Sequence, residues 1–122
     1  MGTRAVYTFK SHGEAFHVYK HWDNTPENAA AFIAAAIWKA WELPRFEADE
    51  FAAGFIAANK DRGGDIRLIK SPRSCGDAAY FYEVTHEAGR LCVLCRDWER
   101  KKIFSGSLVE FGEWARAYAE AY

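Results

Sequence analysis

Residues 79–96 read AYFYEVTHEAGRLCVLCR. Two runs rich in aromatic and β-branched residues flank Glu87-Ala88-Gly89, the pattern of a β-hairpin. Neither run alternates cleanly between apolar and polar. Phe81 opposes Tyr80, Tyr82 and Val84 on the first strand. Cys92 and Leu94 oppose Leu91, Val93 and Cys95 on the second. A sheet built on this hairpin is expected to be covered in part on both sides, or to turn an aromatic face to a partner.

Downstream, Lys102 to Ser105 adds a short strand. Ser107 and Glu110 then form a capping box that opens a last helix, with Leu108, Phe111, Ala115, Tyr118 and Tyr122 on one face. Upstream, Pro72, Cys75 and Gly76 mark a loop, and Asp65 to Ile69 reads as a short edge strand. Before it lie two alanine-rich helices. The first starts with Thr25 as N-cap, Pro26 at the first helical position and Glu27 at the positive end of the dipole. Ala30, Ile33, Ile37 and Trp41 recur at helical spacing, with Phe32 and Trp38 widening the stripe, and Pro44 stops it. The second runs from about Ala48 to Asn59, with Phe51, Ala52, Phe55 and Ile56 on its apolar face. Asn59 and Gly63-Gly64 end it.

The chain opens with a further hairpin, Arg4 to Lys10 and Glu14 to His21 about Ser11-His12-Gly13. On its second strand, Phe16, Val18 and Lys20 point one way and Ala15, His17, Tyr19 and His21 the other. The order ββαα(β)βββα predicts a single α+β domain over residues 1–122. Its antiparallel sheet of about four to six strands packs against about three helices.

Composition narrows the function classes. Half of the 122 residues are hydrophobic, with 5 Trp, 6 Tyr and 9 Phe, enough for a core without metals or disulfides. The 16 basic and 17 acidic residues leave a net charge of −1, which argues against a dedicated nucleic-acid binder. A local basic cluster, Arg96, Arg100, Lys101 and Lys102, reads most plainly as a solvated turn. Its alternative reading is a weak nucleic-acid binder. Three cysteines, an odd number with no apolar leader, point to reduced thiols and a cytoplasmic protein. The low-polarity stretch from Ala29 to Ala36 is too short to span a bilayer, so no membrane partner is expected.

The segment 17–23, HVYKHWD, gathers the candidate binding residues His17, Tyr19, His21, Trp22 and Asp23. His86 is a further candidate from another strand. On a strand His17 and His21 lie about 13 Å apart, too far to share a metal bound at ~2.1 Å by each. His21 and Asp23, about 6.6 Å apart if extended, could share an ion, but no third ligand stands nearby. We expect no metal and no cofactor. In the plainer account His21 and Asp23 hydrogen-bond the turn, Trp22 packs, and Asp23 or Asn24 helps cap the helix. Cys92 and Cys95 fall on opposite faces of a strand, which suits packing rather than redox or zinc chemistry. Cys75 is poorly placed for His86. No phosphate-binding glycine loop, nucleophile elbow or zinc-protease motif occurs, and no catalytic residue is assigned.

Two resemblances add context. Gly2-Thr3-Arg4-Ala5-Val6-Tyr7 is similar to the start of the penicillin-acylase and bile-salt-hydrolase group, but Gly2 replaces the nucleophile, so no activity carries over. Met1-Gly2-Thr3-Arg4 and the turn Tyr19-Lys20-His21-Trp22-Asp23 before Pro26 resemble small uncharacterised proteins of phages and prophages. Asn24-Thr25 stands where those have Gly-Tyr. Gly64-Asp65-Ile66, residues 80–84 and Phe104-Ser105-Gly106 follow the same rhythm. That resemblance implies a fold and a mobile-element context, with no activity to transfer. The reading is a non-enzymatic interaction or binding module, partnered by a protein or by itself as a homodimer. The alternative is a small hydrolase or metal-dependent enzyme using residues 17–23.

Overall fold

The computed structural model describes residues 3–42 and 45–121. Its elements follow the expected order: β1 (Ala5–Ser11), β2 (Glu14–Lys20), α1 (Pro26–Ile37), α2 (Ala48–Asn59), β3 (Ile66–Ile69), β4 (Tyr80–Glu87), β5 (Arg90–Asp97), β6 (Lys102–Ser107) and α3 (Leu108–Ala121). A short 3₁₀ turn, Pro72–Ser74, precedes β4. The chain is an α+β fold with one six-stranded sheet, ordered β3-β2-β1-β4-β5-β6.

The sheet is mostly antiparallel. The exception is its centre, where β1 and β4 run parallel and pair Ala5 with Tyr80 and Phe9 with Val84. Hairpin logic gives the two halves but says nothing about how they join. The long connection through α1, α2 and β3 returns the chain in the same direction, which a parallel pair requires.

One face of the sheet carries all three helices. Side chains alternate along each strand, so Tyr7, Phe9, Val18, Tyr82, Val84, Leu91, Val93 and Cys95 point into the helical layer. They meet Ile33 of α1, Phe51 and Phe55 of α2, and Phe111 of α3. Tyr7 lies 4.5 Å from Phe55 and 5.0 Å from Tyr82, ring centre to ring centre. The aromatic face expected to meet a partner is therefore occupied: Tyr82 is buried, and Tyr80 reaches the Tyr118 hydroxyl of α3 at 3.4 Å. The opposite face is covered only in part. Residues 72–78 fold over it, and Cys75 and Ala78 pack with Val6, Tyr19, Ile69 and Phe81. Cys75 thus serves as a packing residue.

Two sequence expectations are corrected. α1 ends at Ile37, not Trp41. Its last carbonyls are satisfied by tighter i→i+3 bonds, in which Trp38, Lys39 and Ala40 donate to Ala35, Ala36 and Ile37. Trp38 is consequently 86% exposed, and Trp41 binds α2 through its amide to Glu50 at 2.8 Å. Thr25 sits at the N-cap, but its side chain accepts no capping bond. α2 spans Ala48–Asn59 as read, and Gly63-Gly64 belong to the loop that follows it. Pro44 and Tyr122 lie outside the described residues. The capping box of α3 forms as expected: Ser107 Oγ accepts from the Glu110 amide at 3.1 Å, and Glu110 Oε1 accepts from the Ser107 amide at 2.8 Å. Cys92 and Cys95 are free thiols on opposite faces, and burial pushes the Cys95 thiol up to about 12.

The two helices in series approach closely at Gly54. A Cβ there would stand 3.1 Å from the Lys39 carbonyl oxygen and 3.3 Å from that of Ala36. These are backbone atoms with little freedom to move. Gly54→Ala would gain about 1 kcal/mol of helix propensity but overpack by about 1–3 kcal/mol. We expect a net loss of stability of about 1 kcal/mol in urea denaturation. A stabilised variant would show that α1 shifts freely.

Candidate ligand-binding cleft

β2 ends at Lys20, and the chain must turn sharply to enter α1. Asp23 takes a positive φ of 61° to do so, a conformation that Asp tolerates better than most residues. The turn is held from beneath by Asn24, which is fully buried. Its Oδ1 accepts from the Tyr7 hydroxyl at 2.7 Å, and its Nδ2 donates to the carbonyls of Thr3 at 2.8 Å and Lys20 at 2.9 Å. Its own carbonyl accepts from the Tyr82 hydroxyl at 2.7 Å. Burial keeps both tyrosines protonated by raising their pKa well above the usual value.

His21 emerges from this turn. Its amide donates to the Asp65 carbonyl at 2.8 Å, which ties the turn to the loop before β3. Its ring Nδ1 receives the Tyr19 hydroxyl at 2.5 Å and faces Arg4 Nε at 3.4 Å. Arg4 Nε can only donate, so Nδ1 is the acceptor and the matching tautomer carries its hydrogen on Nε2. Burial, then the neighbouring Cys75, raises the Tyr19 pKa against the pull of Arg4, so its hydroxyl keeps its proton. The Arg4 guanidinium also pairs with Asp77 at 2.8 Å. Trp22 stands edge-on to His21, with ring centres 4.3 Å apart.

The facing wall is the loop of residues 60–65. Asp65 organises it: its carboxylate accepts from the amides of Asp61 at 3.0 Å and Arg62 at 3.1 Å, and from Lys60 Nζ at 3.5 Å. Burial alone would raise the Asp65 pKa, but these donors outweigh it and lower it. On β3, the Arg67 guanidinium lies 5.2 Å from the Tyr19 ring centre. Between these walls is an open cleft of about 630 Å³. Two of its charges are already matched within the protein, Arg4 by Asp77 and Asp65 by Lys60. Among the described residues, Arg62 and Arg67 form no ion pair.

Of the six candidates read from sequence, the cleft brings together Tyr19, His21 and Trp22. Asp23 is exposed on the helical side, near Lys20. His86 lies six residues along β4 from Tyr80, about 20 Å from the cleft end of the sheet. Its ring stacks on Phe46 at 5.9 Å, and its buried Nε2 finds no partner among the described residues. His21, Asp23 and His86 do not converge, because the parallel β1–β4 pair sends His86 to the opposite end. Among the described residues, no group of three or more His, Cys, Asp or Glu side chains is placed to hold a metal ion.

His17 sits apart, on the half-covered face, 2.9 Å from Thr8 Oγ1. Burial, and then the charge of Lys10, lower its pKa from 6.5, with Glu83 opposing. Between that lowered value and 6.5, the unfolded chain binds a proton that the folded chain refuses. Stability is therefore complete above the unfolded value, is lost as the pH falls below it, and levels off beneath the folded value. The denaturation midpoint should drop from about pH 7.5 to about pH 5.5, and His17→Asn should flatten that slope. An unchanged slope in the variant would exclude His17 as its source.

The basic cluster resolves into a turn, as read. Asp97 Oδ1 accepts from the amides of Glu99 at 2.9 Å and Lys101 at 3.0 Å. Arg100 packs over the Phe81 ring at 4.5 Å, and Arg96 donates to the Arg100 carbonyl at 3.3 Å.

Sequence reasoning passed over Arg4, Arg62, Arg67, Asp65 and Asp77 as site residues, and read Asn24 only as an alternative to Asp23 in capping α1. Only the Gly63-Gly64 pair hinted at an exposed loop beside them. Comparison of the chain with family models, curated proteins and solved structures finds no match. Among the described residues, no helix is long and apolar enough to cross a membrane.

Proposed function

We propose that this chain is a non-enzymatic binding module whose ligand site is the cleft between His21 and the loop of residues 60–65. The ligand presents an anionic group. The observation that carries this is the pair of guanidinium groups, Arg62 and Arg67, with no carboxylate partner among the described residues, beside an imidazole held with its N–H on Nε2. The enzymatic alternative is less well supported: the acceptor nitrogen of His21 is already engaged by Tyr19 and Arg4, and burial pushes the Cys75 thiol up. A prophage context belongs to the same proposal and rests on the resemblance of the opening thirty residues. So does a protein or self partner, now at the exposed Trp38 and Trp98 rather than at the sheet. A monomer in light scattering at high concentration would remove self-pairing.

The cleft is tested by titrating citrate, sulfate and phosphate into the labelled protein at low salt while following amide chemical shifts. Shifts should concentrate at residues 21–22 and 62–67 and weaken as salt is added. A charge-assisted hydrogen bond contributes about 1.5–3 kcal/mol, so Arg62→Ala or Arg67→Ala should each cost about tenfold or more in affinity. Shifts scattered over the surface, or indifferent to both variants, would sink the proposal.

A further inference from the structure

Resting on that reading, we propose that the cleft takes a phosphate monoester. The phosphoryl group is held by Arg62, Arg67 and the Nε2–H of His21, and the carbon portion lies against Trp22.

The number and kind of donors carry the choice of a phosphoryl group over a carboxylate. Two guanidinium groups reach the cleft from separate elements, the loop of residues 60–65 and β3. The imidazole N–H adds a donor. The amides of Gly63 and Gly64, also on the cleft wall, donate to no protein acceptor among the described residues. A carboxylate brings one charge and two oxygens. A phosphate monoester brings a charge of about −1.5 to −2 and three strong acceptor oxygens, and guanidinium groups match it in bidentate fashion. The loop also leaves room for close approach: a Cβ at Gly63 or Gly64 would meet nothing within 4 Å. The loop is set before any ligand arrives, because the Asp65 carboxylate binds two of its amides and its carbonyl binds His21. Beside these donors stands one large apolar surface, Trp22, 39% exposed and held edge-on against His21. A bare inorganic ion would leave it unused, whereas an organic phosphate would cover it.

Calorimetric titration of the full chain at low salt tests this with four probes: AMP, inorganic phosphate, adenosine and citrate. AMP should bind at one site, inorganic phosphate tenfold or more weaker, and adenosine without measurable heat. Arg62→Ala and Arg67→Ala, both at exposed positions, should each weaken AMP tenfold or more and leave the thermal midpoint near that of the parent. Trp22→Ala should weaken AMP but not inorganic phosphate. Arg100→Ala, in the separate basic turn, should change neither. Citrate binding as tightly as AMP would overturn the phosphate assignment while leaving the anion-binding reading intact. Equal loss of AMP and phosphate in Trp22→Ala would overturn the placement of the carbon portion. AMP binding that is unaffected by both arginine variants, or no heat with any anion, would overturn the inference and the reading beneath it.

Discussion

Asn24→Ala is expected to lower the unfolding free energy by about 3–5 kcal/mol. The substitution removes three side-chain hydrogen bonds: the buried Tyr7 hydroxyl loses its acceptor, the Lys20 carbonyl loses the Asn24 Nδ2 donor, and the Thr3 carbonyl keeps only the Asn24 amide. Each buried group left unpaired costs about 1–3 kcal/mol. Domains of this kind have only about 5–15 kcal/mol to lose. The loss is also structural, because Asn24 joins β1, the end of β2 and β4 at one point beneath the candidate cleft. Asn24→Asp should do no better: it keeps an acceptor for Tyr7 but turns a carboxylate toward two carbonyl oxygens. Urea denaturation measures both. A loss of under about 1 kcal/mol for the alanine variant, the size of one ordinary hydrogen bond, would show that the turn does not depend on Asn24.

Phe55→Ala is expected to cost a similar amount, about 3–5 kcal/mol, as a large-to-small change in a filled core. Phe55 is fully buried, with Tyr7 at 4.5 Å and Phe9 at 5.3 Å. With Phe51, whose ring centre lies 5.7 Å from that of Phe9, it holds α2 on the centre of the sheet. One turn later Asn59 donates to the carbonyls of Phe32 and Phe55, both at 3.0 Å, and locks α2 to α1. The loop of the cleft begins at the next residue. Loosening α2 should therefore speed amide exchange in residues 60–65 more than in the β4–β5 hairpin. Equal exchange in both regions would mean that the loop is held by Asp65 alone. Phe55→Leu keeps most of the volume and should cost less than half as much.

Most of the secondary structure was legible. Aromatic and β-branched runs about turn residues marked the two hairpins, and helical stripes marked α1 and α2. The Ser107–Glu110 pair placed the start of α3. These signals are local: they depend on residues within a turn or a strand length of one another. α1 was read too long because Trp38 and Trp41 continue its apolar stripe. A tryptophan at helical spacing need not be buried, and here the carbonyls at the helix end lie against Gly54 instead. The doubly apolar hairpin was read correctly as covered in part on both sides. Its tyrosines face the helices, and only a short loop carrying Cys75 and Ala78 covers the other side.

The candidate site was half legible. Tyr19, His21 and Trp22 stand together in sequence and remain together in the cleft. His86 and Asp23 were grouped with them on chemistry alone and lie elsewhere. Arg4, Arg62, Arg67 and Asp77 carry no local mark, since a charged residue near a turn is common on any surface.

By itself, then, the sequence determined the elements, their order and the α+β class, because periodicity, capping and turn chemistry act between near neighbours. The tertiary structure alone decided how the two hairpins join. A parallel β1–β4 pair at the centre put Arg4 beside Asp77 and His86 at the far end, and the antiparallel β2–β3 pair put the Asp65 carbonyl against the His21 amide. Those contacts span tens of residues, and they depend on which strand edges meet, a choice that no local pattern records.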